Sequence, residues 1–192
     1  MNYVLLTLSW IIFYTLHSIL AASKLKRILQ GKWGKAYKWY RLAYTLISVV
    51  LFIGIMIQAL FIEKTIVIPK SDLTDYLAYM FAGFGTIIAT KSIKNYSLKR
   101  FLGLDPSSKE TETLDTTGLY SKVRHPLYAG LVLIFLGYFL FSGTVASAVH
   151  FGCLLLYLPF GTYFEEKKLV VQFGEAYQKY KSEVPSIIPK LW

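Results

Sequence analysis

The sequence predicts an all-α, polytopic integral membrane protein with about five transmembrane helices and a C-terminal cytoplasmic amphipathic helix. Hydrophobic residues make up 55% of the 192 residues, more than a soluble domain usually carries. They are concentrated in runs of the length that an α-helix needs to cross a bilayer. Lysine and arginine are concentrated on alternate connections between these runs, as in membrane proteins with a fixed orientation.

Five apolar runs are candidate spans. Four are close to the ~20 residues that cross the hydrocarbon core, and they are residues 3–22, 42–62, 73–90 and 145–164. Residues 127–141 would cover only about 22 Å, so this helix must borrow residues upstream or sit in a thinned region. Either way, Arg124 and His125 are drawn toward membrane depth. The first run lacks the basic head and cleavage site of a secretory signal, so we predict that it is retained.

The charge distribution predicts the orientation. Between the first two runs lie seven basic residues and no acid, and seven more lie between Lys91 and Arg124. By the positive-inside rule these connections and the C-terminal tail are cytoplasmic, which places the N-terminus outside and fits five spans. Orientation and attraction to anionic lipid headgroups account for the net charge of +10. Membrane lipids are therefore expected partners, and nucleic acid is not.

The chain shows no internal repeat and no long linker, which predicts a single membrane domain over residues 1–192, with N-terminal spans in residues 1–100. Residues 103–118 are rich in turn formers and predict an irregular cytoplasmic loop. Residues 165–181 carry apolar side chains at helical spacing, which predicts an amphipathic helix that either lies on the headgroups or closes over a site. Cys153 is the only cysteine, so neither an intrachain disulfide nor a cysteine-based metal site is possible.

Unusual residues collect where the last two runs meet one membrane face. The sequence GLYSKVRHPLYAG, residues 118–130, enters the fourth run, and Glu165 and Glu166 leave the fifth. Pro126 suits the first turn of a helix and biases His125 toward an extended conformation. Adjacent acids are unfavourable at the C-terminal end of a helix because they oppose its dipole. Glu165 and Glu166 therefore either begin a new helix after a break or occupy this position for another reason. Arg124 could pair with one of them, as a structural link, a functional group or both.

These motifs carry a family resemblance. Residues 117–189 resemble the membrane methyltransferases typified by isoprenylcysteine carboxyl methyltransferase and phospholipid N-methyltransferases. The matching elements are residues 118–130, Glu165-Glu166, Leu169, Phe173-Gly174, Tyr177, Tyr180, Pro185 and Pro189. The N-terminal half, with His17-Ser18, looks like the bacterial branch containing methanethiol S-methyltransferase and NnrU-like proteins. For His17 itself we favour a polar contact between helices over a substrate role.

The resemblance implies an S-adenosylmethionine-dependent methyltransferase, with residues 117–192 as the cofactor-binding and catalytic region at the cytoplasmic face. Its cofactor site would consist of Arg124, His125, Pro126, Tyr128, Gly130, Glu165 and Glu166. The acids suit the hydroxyls and amines of the cofactor. Arg124 and His125 are the catalytic candidates, the first to steer an anionic nucleophile and the second as a base. Tyr128 is a candidate cation–π partner for the sulfonium, and the reaction requires no metal.

The methyl acceptor expected from this class is a lipophilic or small molecule, such as a thiol or carboxylate compound, that arrives through the bilayer. Two other functions stay open. Sterol-reductase relatives of the same superfamily bind NADPH with a related C-terminal region, although they usually have more spans. The NnrU-like resemblance also permits a non-catalytic membrane accessory protein. Because one scaffold can carry several chemistries, fold alone does not choose among the three.

Overall fold

A computed structural model describes residues 1–93, 104 and 113–190. The helices are α1 (Asn2–Ala21), α2 (Ser23–Trp33), α3 (Tyr40–Leu60), α4 (Asp72–Ile93), α5 (Pro126–Ser142), α6 (Val145–Phe173) and α7 (Glu175–Glu183). Short 3₁₀ helices occupy Gly34–Trp39 and Gly118–Ser121. An isolated bridge between Ile66 and Thr144 is the one β-type pairing in the described part of the chain. The predicted all-α class is confirmed.

Three helical stretches of the described residues are long and apolar enough to cross a membrane. They are Asn2–Ala21, Ser23–Leu60, which contains α2 and α3, and Val145–Phe173. Helix α5 is apolar but has 17 residues, and α4 is not one of the three. Helix α5 takes in one residue upstream of the run, Pro126, and its 17 residues remain fewer than a full span needs. A thinned bilayer around this helix stays a prediction. The count of five spans stays a prediction.

The first compact unit consists, among the described residues, of 1–64 and 104. Trp10 of α1 is buried, stacks on Tyr14 with 5.1 Å between ring centroids, and meets Phe52 of α3 edge-on. His17 Nδ1 lies 2.9 Å from Ser48 Oγ, which is the kind of contact between helices that we favoured for this residue. The basic connection between the first two runs, for which the sequence analysis named no helix, is helical in this unit.

The second unit contains the described residues 65–93 and 113–190, so α4 groups with the C-terminal helices. Small residues explain this grouping. A Cβ atom added to Gly85 would lie 2.6 Å from the Gly130 carbonyl oxygen, and one added to Gly137 would lie 2.7 Å from the Ala78 carbonyl oxygen. The backbones of α4 and α5 therefore approach more closely than larger side chains would permit.

A tight hairpin joins α5 to α6 in the second unit. Gly143 has a φ of +62°, the left-handed conformation that glycine adopts without strain, and its carbonyl oxygen accepts hydrogen bonds from the Val67 and Ile68 amides. Thr144 then caps α6 reciprocally with Ser147. The start of α5 and the end of α6 consequently lie on the same side of this unit, as the antiparallel hairpin predicted.

The C-terminal helices differ from the prediction in their boundaries. Helix α6 runs without a break through Glu165 and Glu166 and ends at Phe173, where Gly174 has a φ of +57°. The predicted helix over 165–181 is therefore divided between the last turns of α6 and the separate helix α7, and the suggested break before the acids is wrong. The loop predicted over 103–118 lies mostly outside the described residues. Of the part described, residues 113–116 have no regular structure.

Candidate active site

Arg124 joins the start of α5 to the end of α6. Its Nε and Nη2 atoms both donate to Glu166 Oε1, at 2.8 Å and 2.6 Å. Its Nη1 atom donates to the carbonyl oxygens of Lys181 and Val184, which ties the end of α7 to the same side chain. The Arg124 and Glu166 side chains are each 9% exposed. Breaking a charge-assisted pair shielded in this way typically costs far more than breaking one on the surface, because the remaining charge stays buried.

Two further side chains, those of Lys181 and His125, contact the Glu166 carboxylate. Lys181 Nζ of α7 lies 2.7 Å from Glu166 Oε2. His125 Nε2 lies 3.2 Å from Glu166 Oε1. Because an ionised carboxylate can only accept hydrogen bonds, Nε2 must carry the proton in this contact. In the neutral ring the other nitrogen of His125, Nδ1, then carries the lone pair.

Glu165 lies on the other side of the His125 ring. Its Oε2 atom is 3.6 Å from His125 Nδ1, and its side chain is 45% exposed, against 3% for His125. Tyr128, in the first turn of α5, stacks on the His125 ring with 5.5 Å between centroids, and its hydroxyl group interacts with Glu165. The two acids therefore differ: Glu166 is enclosed by cations, and Glu165 is open to the surroundings.

The chain after α7 fastens the Arg124-His125-Pro126 motif through its backbone. The amide of Arg124 donates to the Pro185 carbonyl at 2.9 Å, and the amide of His125 donates to the Ser186 carbonyl at 2.9 Å. We refer to residues 184–186 as the C-terminal strap. Since His125 lies outside α5 and Pro126 occupies its first turn, these amides have no helical partner, and the strap supplies one.

Helix α7 contributes two buried tyrosines, Tyr177 and Tyr180, near the cluster. The Tyr180 hydroxyl donates to the Tyr120 carbonyl at 2.6 Å. Tyr177 is 1% exposed. Burial raises the pKa of the Tyr177 hydroxyl to about 12, and the negative charge of Glu166 adds to the rise. Tyr177 is therefore a neutral hydroxyl group at any physiological pH.

The structure brings together most of the residues predicted for the site. Arg124, His125, Glu165 and Glu166 are in direct contact, and Tyr128 lies against His125. Pro126 is buried at the first turn of α5. Gly130 packs against α4 instead, with the Gly85 carbonyl oxygen 2.8 Å from the position of an added Cβ atom. That packing accounts for the glycine, and contact with a cofactor stays a prediction.

Sequence reasoning missed three parts of the cluster: Lys181, the strap and the inward position of Tyr177. Lys181 was one of several lysines in a basic tail and carried no motif of its own. A signal did exist for the other two. Tyr177, Pro185 and the residues around them were part of the resemblance, although no contact could be assigned to them from spacing alone.

The fold and the cluster define a membrane protein with an ion-paired site where two apolar helices meet. The chain belongs to the NnrU protein family, which matches it over residues 5–190. This confirms the resemblance inferred from the motifs. No solved structure matches the chain.

Named relatives of the chain are methyltransferases. Methanethiol S-methyltransferase of Pseudomonas deceptionensis is 35% identical over 114 residues, 57% of this chain and 43% of the relative. Methanethiol S-methyltransferase 2 of Bradyrhizobium diazoefficiens is 27% identical over 195 residues, 94% of this chain and 71% of the relative. Protein-S-isoprenylcysteine O-methyltransferase of Schizosaccharomyces pombe is 40% identical over 78 residues, 40% of this chain and 33% of the relative. The chain thus spans less than half of the Pseudomonas relative.

Proposed function

We propose that this chain is an integral membrane methyltransferase that uses S-adenosylmethionine and acts on a lipophilic or small thiol or carboxylate acceptor. The observation that carries the proposal is the cluster itself. Arg124 and His125 lie in the sequence 40 or more residues before Glu165 and Glu166, yet they meet within 2.6 to 3.6 Å. The names of the relatives point to the same reaction class and favour a small thiol as the first acceptor to test.

The residues present suit the methyl donor chemically. Bound S-adenosylmethionine supplies a methyl group already activated by its sulfonium charge. The open carboxylate of Glu165 can accept hydrogen bonds from hydroxyl or ammonium groups of such a molecule. The Tyr128 ring, beside Glu165, offers an aromatic face to a cation.

The roles of Arg124 and His125 follow from their contacts. His125 donates through Nε2 to Glu166, so Nδ1 is the atom that would take a proton from a thiol acceptor. Arg124 is tied to Glu166 and to two carbonyl oxygens. To steer an anionic acceptor it would exchange part of these contacts, which favours steering by charge over a new bidentate contact.

A binding measurement tests the proposal. Isothermal titration of the detergent-purified chain with S-adenosylhomocysteine should give a saturable heat and a rise in melting temperature, because a ligand of the folded state stabilises it. NADPH at the same concentration is the control for the reductase alternative. Heat and stabilisation from NADPH with neither from S-adenosylhomocysteine would contradict the proposal.

A non-catalytic accessory function is the second candidate, and one observation favours it. Arg124 contacts protein groups of α6, α7 and the strap, as a purely structural link would. Turnover decides between the two functions. Transfer of a labelled methyl group to methanethiol or another small thiol by the purified chain is the result expected of an enzyme. At a donor concentration below saturation, a Glu165→Gln variant should transfer the label more slowly.

We also propose the five-span topology, with the N-terminus outside and the site at the cytoplasmic face. In a Cys153→Ala background, single cysteines at Lys32 and Lys179 should resist a membrane-impermeant maleimide in intact cells. A cysteine at Lys64, on the predicted outer connection, should react. All three positions are exposed, so access to the side chain is not limiting. Reaction at Lys32 or Lys179 as fast as at Lys64 would refute this orientation.

A further inference from the structure

Most of the hydrogen-bonding capacity of Glu166 is already used by the protein. An ionised carboxylate has about four lone-pair sites on its two oxygens. Oε1 faces Arg124 Nε, Arg124 Nη2 and His125 Nε2, and Oε2 faces Lys181 Nζ. A ligand hydroxyl or ammonium group that binds to Glu166 would have to compete with these donors for a carboxylate that is only 9% exposed.

Glu165 is placed differently although it is the adjacent residue. Consecutive residues of an α-helix are rotated by about 100°, and α6 is unbroken here, so the two side chains cannot share one direction. The Glu165 side chain is 45% exposed, against 9% for Glu166. It also lies on the side of the His125 ring where Nδ1 is available, next to Tyr128.

Lys181 completes the enclosure of Glu166 and gives α7 a fixed position. Its ammonium group contacts Glu166, while its own carbonyl oxygen accepts from Arg124 Nη1. Side chain and backbone of one residue therefore hold both members of the Arg124–Glu166 pair. The strap begins three residues later and hydrogen-bonds to the amides of Arg124 and His125.

We propose that the two adjacent acids have different functions. Glu165 is the carboxylate that binds the methyl donor, and this part rests on the proposed function. Glu166 and Lys181 are positioning residues, which hold α7 and the C-terminal strap against Arg124 and so fix the orientation of His125. The family resemblance implies that both acids bind the cofactor, whereas their contacts in the structure differ.

The test combines ligand-free stability with binding of S-adenosylhomocysteine by the full chain in lipid nanodiscs. Glu165→Gln should weaken binding about tenfold or more, because a charge-assisted hydrogen bond is lost, and should leave the ligand-free melting temperature unchanged. Glu166→Gln should lower that melting temperature by roughly 5 °C or more, because Arg124 and Lys181 lose their counter-charge.

Lys181 is tested by a matched set. Lys181→Met should lower the ligand-free melting temperature, and Lys181→Arg should restore it, because arginine can renew the ion pair. Lys179→Met removes an exposed lysine of the same helix and should behave like the unaltered protein. Digestion with proteinase K, whose cleavage does not require lysine, should release the C-terminal segment faster from Lys181→Met than from Lys179→Met.

The outcomes separate the parts of the proposal. Loss of binding in Glu166→Gln at unchanged melting temperature, with unaltered binding in Glu165→Gln, would overturn the division of function. Equal behaviour of Lys181→Met and Lys179→Met would overturn the role of Lys181. If the unaltered chain binds no S-adenosylhomocysteine, the proposed function and the role of Glu165 both fail. The ligand-free melting temperatures then decide the roles of Glu166 and Lys181 on their own.

Discussion

An Arg124→Ala variant is expected to lose methyl transfer and to melt on the order of 10 °C below the unaltered protein. The change leaves the Glu166 carboxylate, 9% exposed, without its two guanidinium contacts. Removing one partner of a shielded ion pair typically costs about 3 to 5 kcal/mol, because the other charge stays buried. Lys181 remains beside Glu166, so we expect the lower end of this range. The carbonyl oxygens of Lys181 and Val184 also lose their donor, so the end of α7 is released. Thermal unfolding followed by tryptophan fluorescence measures the effect.

Two variants control for charge and for position. Lys122→Ala removes an exposed cation two residues away and should leave the melting temperature unchanged. Arg124→Lys keeps the positive charge but cannot reach Glu166 and both carbonyl oxygens at once, so an intermediate melting temperature is expected. An Arg124→Ala protein as stable as Lys122→Ala would show that the observed contacts do not hold the cluster together.

The same variant tests the catalytic role of Arg124 at temperatures where it remains folded. If Arg124 steers an anionic acceptor, turnover at saturating S-adenosylmethionine should fall far more than the affinity for S-adenosylhomocysteine. Such a separation indicates an interaction made in the transition state. Equal loss of both would assign Arg124 to donor binding or to structure alone.

The sequence predicted the meeting of the two motifs for a sound physical reason. A short uncharged connection between the last two apolar runs leaves only an antiparallel hairpin, and the ends of such a hairpin must be neighbours. Arg124 and Glu166 then find each other because an unpaired charge near an apolar helix is costly. Pro126 likewise predicted where α5 begins, since proline lacks the amide that a helix interior requires.

Other features depended on contacts that no periodicity reveals. Helix α6 ends at Phe173 and has no break before Glu165. The two acids can lie within the helix because residues of other elements contact them. Local dipole arguments cannot include such partners. Lys181 could not be told from neighbouring lysines, because only the fold places it opposite Glu166. Glu166 is enclosed and Glu165 is open only because α5, α6 and α7 pack together, which spacing in the sequence does not reveal.

A Gly130→Val variant is expected to show whether residue 130 is glycine because of helix packing or because of ligand binding. The sequence alone could not distinguish these two reasons. A Cβ atom at residue 130 would lie 2.8 Å from the Gly85 carbonyl oxygen and 2.9 Å from the Ala89 amide nitrogen. Both are backbone atoms, so relief requires α4 and α5 to move apart. Overpacking of this kind typically costs about 1 to 3 kcal/mol, and a fall in melting temperature of several degrees should follow.

The matched control is Gly83→Val on α4, where an added Cβ atom meets no heavy atom within 4 Å. Its backbone is helical like that of Gly130, so both variants remove a helical glycine and add the same side chain. A fall in melting temperature in Gly130→Val alone identifies the close approach of the helices as the reason for glycine. If Gly130→Val instead melts like Gly83→Val and binds S-adenosylhomocysteine much more weakly, Gly130 belongs to the donor site, as the family resemblance implied.

Because α5 carries Gly130 one turn beyond His125 and Pro126, displacement of the helix should also disturb the His125–Glu166 contact. Some loss of affinity is thus compatible with packing, provided that it accompanies the loss of stability.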